Sequence, residues 1–171
     1  MAVDIELQLV PLAQRSALEN LFQLYVHDFS EHWAGTARGE VDDDGRFEPY
    51  PLDGYWREEG LVPLFLRHAD RLVGFALLNC AGHTGLAVDR NVAEFFILRK
   101  HRRAGLGKAA ATELFARYPG QWEAAVARRN VGAQTFWRSA ITDHSRMRGL
   151  KEHDLPRFAL HDPRPHRLGR G

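Results

Sequence analysis

Residues 92–118 run from strand to glycine turn to helix without a break. Val92-Ala93-Glu94-Phe95-Phe96-Ile97-Leu98 is apolar apart from one carboxylate, the pattern of a strand covered on both faces. A basic linker, Arg99 to Ala104, leads into Gly105-Leu106-Gly107, which opens a helix from Lys108 to Tyr118 that Pro119-Gly120 stops. The first amides of a helix lack an intrahelical acceptor and together carry about half a positive charge. Glycine lets a ligand approach the backbone because no Cβ intervenes. Arg102, Arg103 and Lys108 add fixed positive charge, and Arg99, Lys100 and protonated His101 raise the local potential. A strand followed by such a turn and a helix start binds an anion, most often a phosphate.

The rest of the chain supplies elements on either side. Ile5 to Val10 alternates apolar and polar residues, as a half-buried strand does, and Pro11 ends it. Leu18, Leu21, Phe22, Tyr25, Val26 and Phe29 recur at steps of three and four and predict an amphipathic helix. Residues 31–60 are irregular, with an acidic turn at Glu40 to Gly45 and a short helix near Asp53 to Glu59. Leu61 to Arg67 and Leu72 to Asn79 flank a short polar link and read as an antiparallel hairpin. Beyond the central helix the pattern gives a strand at Gln121 to Val126, a short helix at Val131 to Ser139, and strands near Ser145 to Leu150 and Arg157 to His161. The economical packing for this order is an α/β fold, a mixed sheet with helices on both faces. We expect one domain over residues 1–161 and a flexible basic tail over 162–171.

Composition excludes several classes. A length of 171 residues suits one domain with a full core. The net charge of +1 gives no global attraction to nucleic acid or an anionic membrane. No apolar run reaches the length of a membrane span, and the acidic start MAVDIE does not read as a signal peptide. The single cysteine, Cys80, fits a reducing cytoplasm. It ends an apolar strand without flanking cations and is expected to be a packed core residue rather than a nucleophile. The nine histidines show no metal-ligand spacing, so no metal is expected. The acidic turn superficially fits a calcium loop, but Pro51 stands where the bidentate Glu should be.

Two patterns fit the glycine turn. Gly105-Leu106-Gly107-Lys108-Ala109-Ala110 satisfies the dinucleotide fingerprint G-x-G-x-x-A, with Glu123 as a candidate ribose acid. Against it, RKHRRA separates the strand from the first glycine, and about half the chain precedes the motif. Glu123 also lies near the start of its strand, whereas a ribose acid should lie near the end. The second pattern is R-x-x-G-x-G, Arg102 through Gly107. It resembles the pyrophosphate loop of the GNAT superfamily of acyl-CoA-dependent N-acetyltransferases. Asn130-Val131-Gly132-Ala133-Gln134-Thr135-Phe136-Trp137, about 25 residues downstream of the glycines, is similar to that superfamily's second cofactor motif, N-x-x-A-x-x-F-aromatic. The order of elements over residues 4–161 also resembles the superfamily's.

The resemblance implies a mostly antiparallel central sheet whose fourth and fifth strands splay apart around the pantetheine arm of acetyl-CoA. The backbone of Phe96, Ile97 and Leu98 would pair with that arm. Amides from Arg102, Arg103, Ala104, Gly105, Leu106, Gly107 and Lys108 would hold the pyrophosphate, and Asn130 would contact the arm from the other side, besides capping its helix. An N–H near Phe96 or Ile97 would polarise the thioester carbonyl, and a primary amine would attack directly. Glu94 is the candidate general base, because a carboxylate among apolar neighbours has a raised pKa. Trp137 stands where many relatives place a tyrosine that protonates the leaving thiolate. That departure leaves open a noncatalytic acyl-CoA-binding domain. A homodimer is an expectation from the family alone.

Tyr25, Asp28, Tyr50 and Tyr55 fall where the resembled fold covers the acceptor, and are candidate substrate-binding residues. Asp28 alternatively caps a turn, and Phe29 and Trp56 are expected in the core.

Overall fold

A computed structural model describes residues 3–151 and 154–161 of the chain. The tail expected over 162–171 lies outside the described residues. Six strands form one sheet in sequential order: β1 (Glu6–Leu9), β2 (Val62–His68), β3 (Arg71–Asn79), β4 (Arg90–Ile97), β5 (Trp122–Ala127) and β6 (Arg157–His161). Neighbours from β1 to β4 pair antiparallel, while β4 with β5 and β5 with β6 pair parallel. Three α-helices complete the fold: α1 (Arg15–Ser30), α2 (Leu106–Arg117) and α3 (Val131–Arg148). This is the mixed α/β architecture expected from the sequence.

The period-two alternation of the strands divides the core into two layers. Leu64, Leu66, Ala76 and Leu78 pack against Ala110, Ala111 and Leu114 of α2 and Trp137, Ala140 and Ile141 of α3. Phe65, Phe75, Leu77 and Phe96 pack on the opposite face against Leu18, Leu21 and Phe22 of α1, together with Leu52 and Tyr55 from the irregular segment. Helices therefore cover both faces, and β3 and β4 are buried between them.

One extra residue in β4 decides where its side chains go. Leu77 pairs with Glu94, but Leu78 pairs with Val92, so Ala93 is unmatched and forms a bulge. Strict alternation would put Val92 and Glu94 on the same face. With the bulge, Val92 joins the layer under α2 and α3, and Glu94 turns toward α1, where it meets Tyr25.

α3 is longer than its sequence pattern suggested. The short helix expected over Val131–Ser139 and the strand expected over Ser145–Leu150 are one continuous helix to Arg148. Trp137, Ala140, Ile141 and His144 continue the buried stripe at helical spacing, and Gly149 in the left-handed conformation ends it. Cys80 also departs from expectation. It is exposed, because β3 ends at Asn79, and Nη1 of Arg90 lies 3.4 Å from its sulfur. Among the described residues no helix is long and apolar enough to cross a membrane.

Candidate functional site

β4 and β5 pair only at Arg90 with Trp122 and at Asn91 with Glu123. Beyond that the two strands part, and β4 keeps its other partner, β3, as far as Ile97. A cavity of about 670 Å³ opens there. Its wall takes Phe95, Phe96 and Ile97 from β4, Gly105, Gly107 and Lys108 from the glycine turn and α2, and Asn130, Ala133 and Trp137 from the start of α3. Tyr25, Asp28 and Phe29 of α1 close one side. Both motifs singled out in the sequence therefore face the same space.

The backbone of β4 offers polar groups to this gap in alternation. The Leu98 N–H donates to the Val73 carbonyl at 2.9 Å, so residues an even number of places away also face β3. Phe96 fits this: its carbonyl lies so close to Gly74 that a Cβ there would sit 2.0 Å from it. Phe95 and Ile97 therefore turn their N–H and C=O groups toward the gap. Nε of Arg102 already donates to the Ile97 carbonyl at 2.7 Å.

The glycine turn presents a helix start without a cap. Arg103 and Gly105 both have positive φ, +61° and +81°. This left-handed conformation is ordinary for glycine and costs about 1 kcal/mol for other residues. Gly105 is the N-cap residue of α2 and carries no capping side chain. The first intrahelical donor is Ala109, to the Gly105 carbonyl at 3.0 Å. The N–H groups of Leu106, Gly107 and Lys108 precede it, as the first orphan donors of a helix do. Asn130, by contrast, is itself a cap: its side chain accepts from the Ala133 N–H at 3.0 Å.

On the α1 side the hydroxyl of Tyr25 donates to Oε2 of Glu94 at 2.5 Å, within the range of an O–H···O hydrogen bond. Burial raises the pKa of Glu94 to about 7, against hydrogen bonds from Tyr25 and Tyr50 that act to lower it. The same burial, reinforced by the charge of Glu94, pushes Tyr25 well above the ordinary phenol range.

The family model for the GNAT acetyltransferases matches residues 18–140. The chain belongs to the GNAT acetyltransferase family. Among solved structures it resembles a ribosomal-protein-alanine N-acetyltransferase from Brucella melitensis biovar Abortus 2308, at 17% identity and a TM-score of 0.41, covering 67% of this chain and 74% of that one. It also resembles an integron cassette protein from the mobile metagenome of V. cholerae, at 15% identity and a TM-score of 0.46, covering 81% and 84%. No curated protein matches the sequence.

In this GNAT protein several candidate residues have partners that the sequence did not reveal. Asp28 pairs with Arg102 and, at 2.6 Å, with Arg99. Burial alone would raise its pKa, but hydrogen bonds from Arg102 and Arg99 outweigh that and hold the carboxyl below its ordinary range. The ammonium of Lys108 pairs with Asp143 of α3 at 2.8 Å, so its charge is partly neutralised. Tyr55 is in the core at 8% exposure, and Tyr50 packs on Phe22 at a ring distance of 4.3 Å. Phe29, expected in the core, lines the cavity instead. Trp56 packs partly buried against the core.

Glu123, the acid that a dinucleotide site would have needed, is 0% exposed. It accepts hydrogen bonds from the backbone N–H groups of His83 and Thr84 and from the Thr84 hydroxyl. Burial works to raise its pKa, but these donors outweigh it and leave the carboxyl below its ordinary range. It anchors the loop between β3 and β4. Among the described residues no group of three or more His, Cys, Asp or Glu side chains comes together as a metal site needs.

Proposed function

We propose that the protein is an N-acetyltransferase that moves an acetyl group from acetyl-CoA to a primary amine by direct attack. The observation that carries this reading is the cavity between the parted strands, walled by both cofactor motifs and bordered by a tyrosine bonded to a carboxylate of raised pKa.

The residues fit the two substrates as follows. The orphan amides of Leu106, Gly107 and Lys108, with the positive end of α2, receive the pyrophosphate. Arg102, Arg103, Ala104 and Gly105 shape the turn that brings those amides forward. The gap-facing edge of β4 gives the pantetheine arm a strand to pair with. Of the two amides suggested by the sequence, Phe96 faces β3, so Ile97 is the donor that polarises the thioester carbonyl. Asn130 meets the arm from α3. Glu94, with a pKa near neutrality, acts as the base.

Acetyl-CoA should raise the melting temperature, and Gly107→Trp, which fills the cradle, should abolish the rise. Thiol release in a screen of aminoglycosides, polyamines, amino acids and peptides then identifies the amine. Trp137 favours a second reading, a noncatalytic acyl-CoA-binding domain. That reading gives the same thermal shift without thiol release for any amine.

A further inference from the structure

We propose that Tyr25 is the group that exchanges protons with the reacting atoms, and that Glu94 stands behind it as a proton store. Together they carry one proton from the attacking nitrogen to the leaving sulfur. This deepens the acetyl-transfer reading above and rests on it.

Position separates the roles of the two residues. Tyr25 lines the cavity, and Glu94, half-buried, accepts the hydrogen bond of its hydroxyl from the sheet side. The Tyr25 hydroxyl is bonded to Oε2 of Glu94 at 2.5 Å, so one side chain touches both the carboxylate and the cavity. Its ring is clasped by Phe22, Phe29, Phe75 and Phe96 at centroid distances of 5.2 to 5.7 Å. The hydroxyl is therefore fixed in place, and the Phe96 contact sets it beside the strand that faces the thioester carbonyl.

Of the other polar wall residues, Glu31 and His32 lie 3.8 Å from each other in the turn after α1, and three more are unsuited or already engaged. Trp137 carries only an indole N–H, which is not an acid near neutral pH. Asp28 is held ionised by Arg102 and Arg99. The Lys108 ammonium is turned to Asp143. His32 lies in the turn after α1, about 10 Å further along the helix direction at 1.5 Å per residue.

The step balances with these two side chains alone. The nitrogen of a neutral amine bonds to the carbonyl carbon and becomes positively charged. Tyr25 Oη takes one proton from it as its own proton passes to Glu94 Oε2. When the carbon–sulfur bond breaks, the sulfur leaves with the electron pair. Tyr25 then gives its proton to the sulfur, and Glu94 returns the stored proton to Tyr25. A C–N bond has formed, a C–S bond has broken, one proton has crossed from nitrogen to sulfur, and both side chains end as they began. The raised pKa of Tyr25 means that it never rests as a phenolate and moves its proton only in concert with Glu94. This arrangement removes the need for a tyrosine at the Trp137 position.

The test measures kcat, KM and the pH profile of thiol release, with an amine that the wild type accepts, for the wild type, Tyr25→Phe, Glu94→Gln and the double variant. The acetyl-CoA thermal shift checks folding and binding in each. The relay predicts that each single change lowers kcat by about 10²- to 10⁴-fold, the span of one general acid–base contribution, with KM for acetyl-CoA unchanged. It predicts that the double variant is no slower than either single, because the pair acts as a unit. The titratable groups around Glu94 are Tyr25 from α1 and Tyr50 and Tyr55 from the irregular segment, all uncharged near neutrality. The rising limb of kcat near pH 7 therefore belongs to Glu94 and disappears in both single variants.

A Tyr25→Phe enzyme that keeps kcat and the limb, beside a Glu94→Gln enzyme that loses both, overturns the relay and leaves acetyl transfer standing. A proton inventory of the wild type in mixed light and heavy water needs no variant. Two protons in flight bow the plot, and a straight line overturns the relay. A wild type that binds acetyl-CoA but releases no thiol with any amine overturns the acetyl-transfer reading and the relay with it.

Discussion

Asp28 of α1 and Arg102 of the glycine turn meet side by side at the mouth of the cavity. Arg102 is also bonded to the Ile97 carbonyl and lies over the Phe96 ring at 5.5 Å. The carboxylate thus draws an arginine of the phosphate motif toward the acceptor side. Asp28→Asn keeps the shape and removes one negative charge next to the anion site. We expect acetyl-CoA to bind roughly two- to fivefold more tightly at low salt, with the gain fading as the Debye length shrinks toward ~3 Å at 1 M. Folding stability should fall by less than about 1 kcal/mol, because Arg99 and Arg102 are both exposed. Titration calorimetry at two salt concentrations checks this, and weaker binding at low salt would contradict it.

Glu94 should make the fold less stable as pH rises. Its folded pKa of about 7 lies above the ordinary value of 4.5, so the folded state binds the proton more tightly than the unfolded chain. This group's stabilising contribution is complete below pH 4.5 and is lost as pH rises through 7. The difference is on the order of 1–3 kcal/mol. Glu94→Gln is neutral throughout and should remove that slope. Urea unfolding at pH 5, 6, 7 and 8 should show the wild type losing stability relative to Glu94→Gln. A wild type that gains on Glu94→Gln over that range would overturn the sign.

The central strand, turn and helix were legible because glycine, proline and a continuous apolar run act locally. The hairpin and the Asn130 cap were legible for the same reason. The bulge at Ala93 was not, since a small apolar residue in a strand looks the same in or out of register. The full length of α3 was hidden because His144 supplies a turn of its buried stripe, and histidine does not read as apolar. The partners of the site residues were hidden by sequence distance. Tyr25 and Glu94 are 69 positions apart, and Asp28 and Arg102 are 74 apart. Only the sheet brings them together. Tyr25 was visible in a helical stripe and, through the resemblance, as an acceptor-side residue, but nothing local marked it as the partner of Glu94.

Gly74 should tolerate no side chain. A Cβ there would stand 2.0 Å from the Phe96 carbonyl oxygen and 3.1 Å from Cα of Ile97, both backbone atoms that cannot rotate away. Gly74→Ala must push β4 from β3 at the two residues that face the cavity. We expect a loss above about 3 kcal/mol, in the range reserved for strained or overpacked interiors. Whatever folded protein remains should bind acetyl-CoA more weakly. Gly45→Ala is the comparison, since a Cβ there meets nothing within 4 Å and only its positive φ of +73° resists. It should cost about 1 kcal/mol and leave binding unchanged.

Asn130 allows the helix cap and the ligand contact to be separated. Its side-chain oxygen holds the Ala133 N–H, and the residue also lines the cavity. Asparagine and aspartate cap helices about equally, and loss of the cap to alanine costs about 1 kcal/mol. Asn130→Ala should therefore lower the melting temperature by about 2–4 °C for a chain of this size. Asn130→Asp should leave it near the wild-type value while removing the amide donor and adding a negative charge to the cavity wall. If Asn130 contacts the pantetheine arm, Asn130→Asp weakens acetyl-CoA binding at least as much as Asn130→Ala despite its better stability. If it serves only α3, the added charge is screened at 1 M salt, binding there follows stability, and Asn130→Asp binds as the wild type does. Calorimetric affinities beside melting temperatures for the two variants decide between these outcomes, and the first is expected.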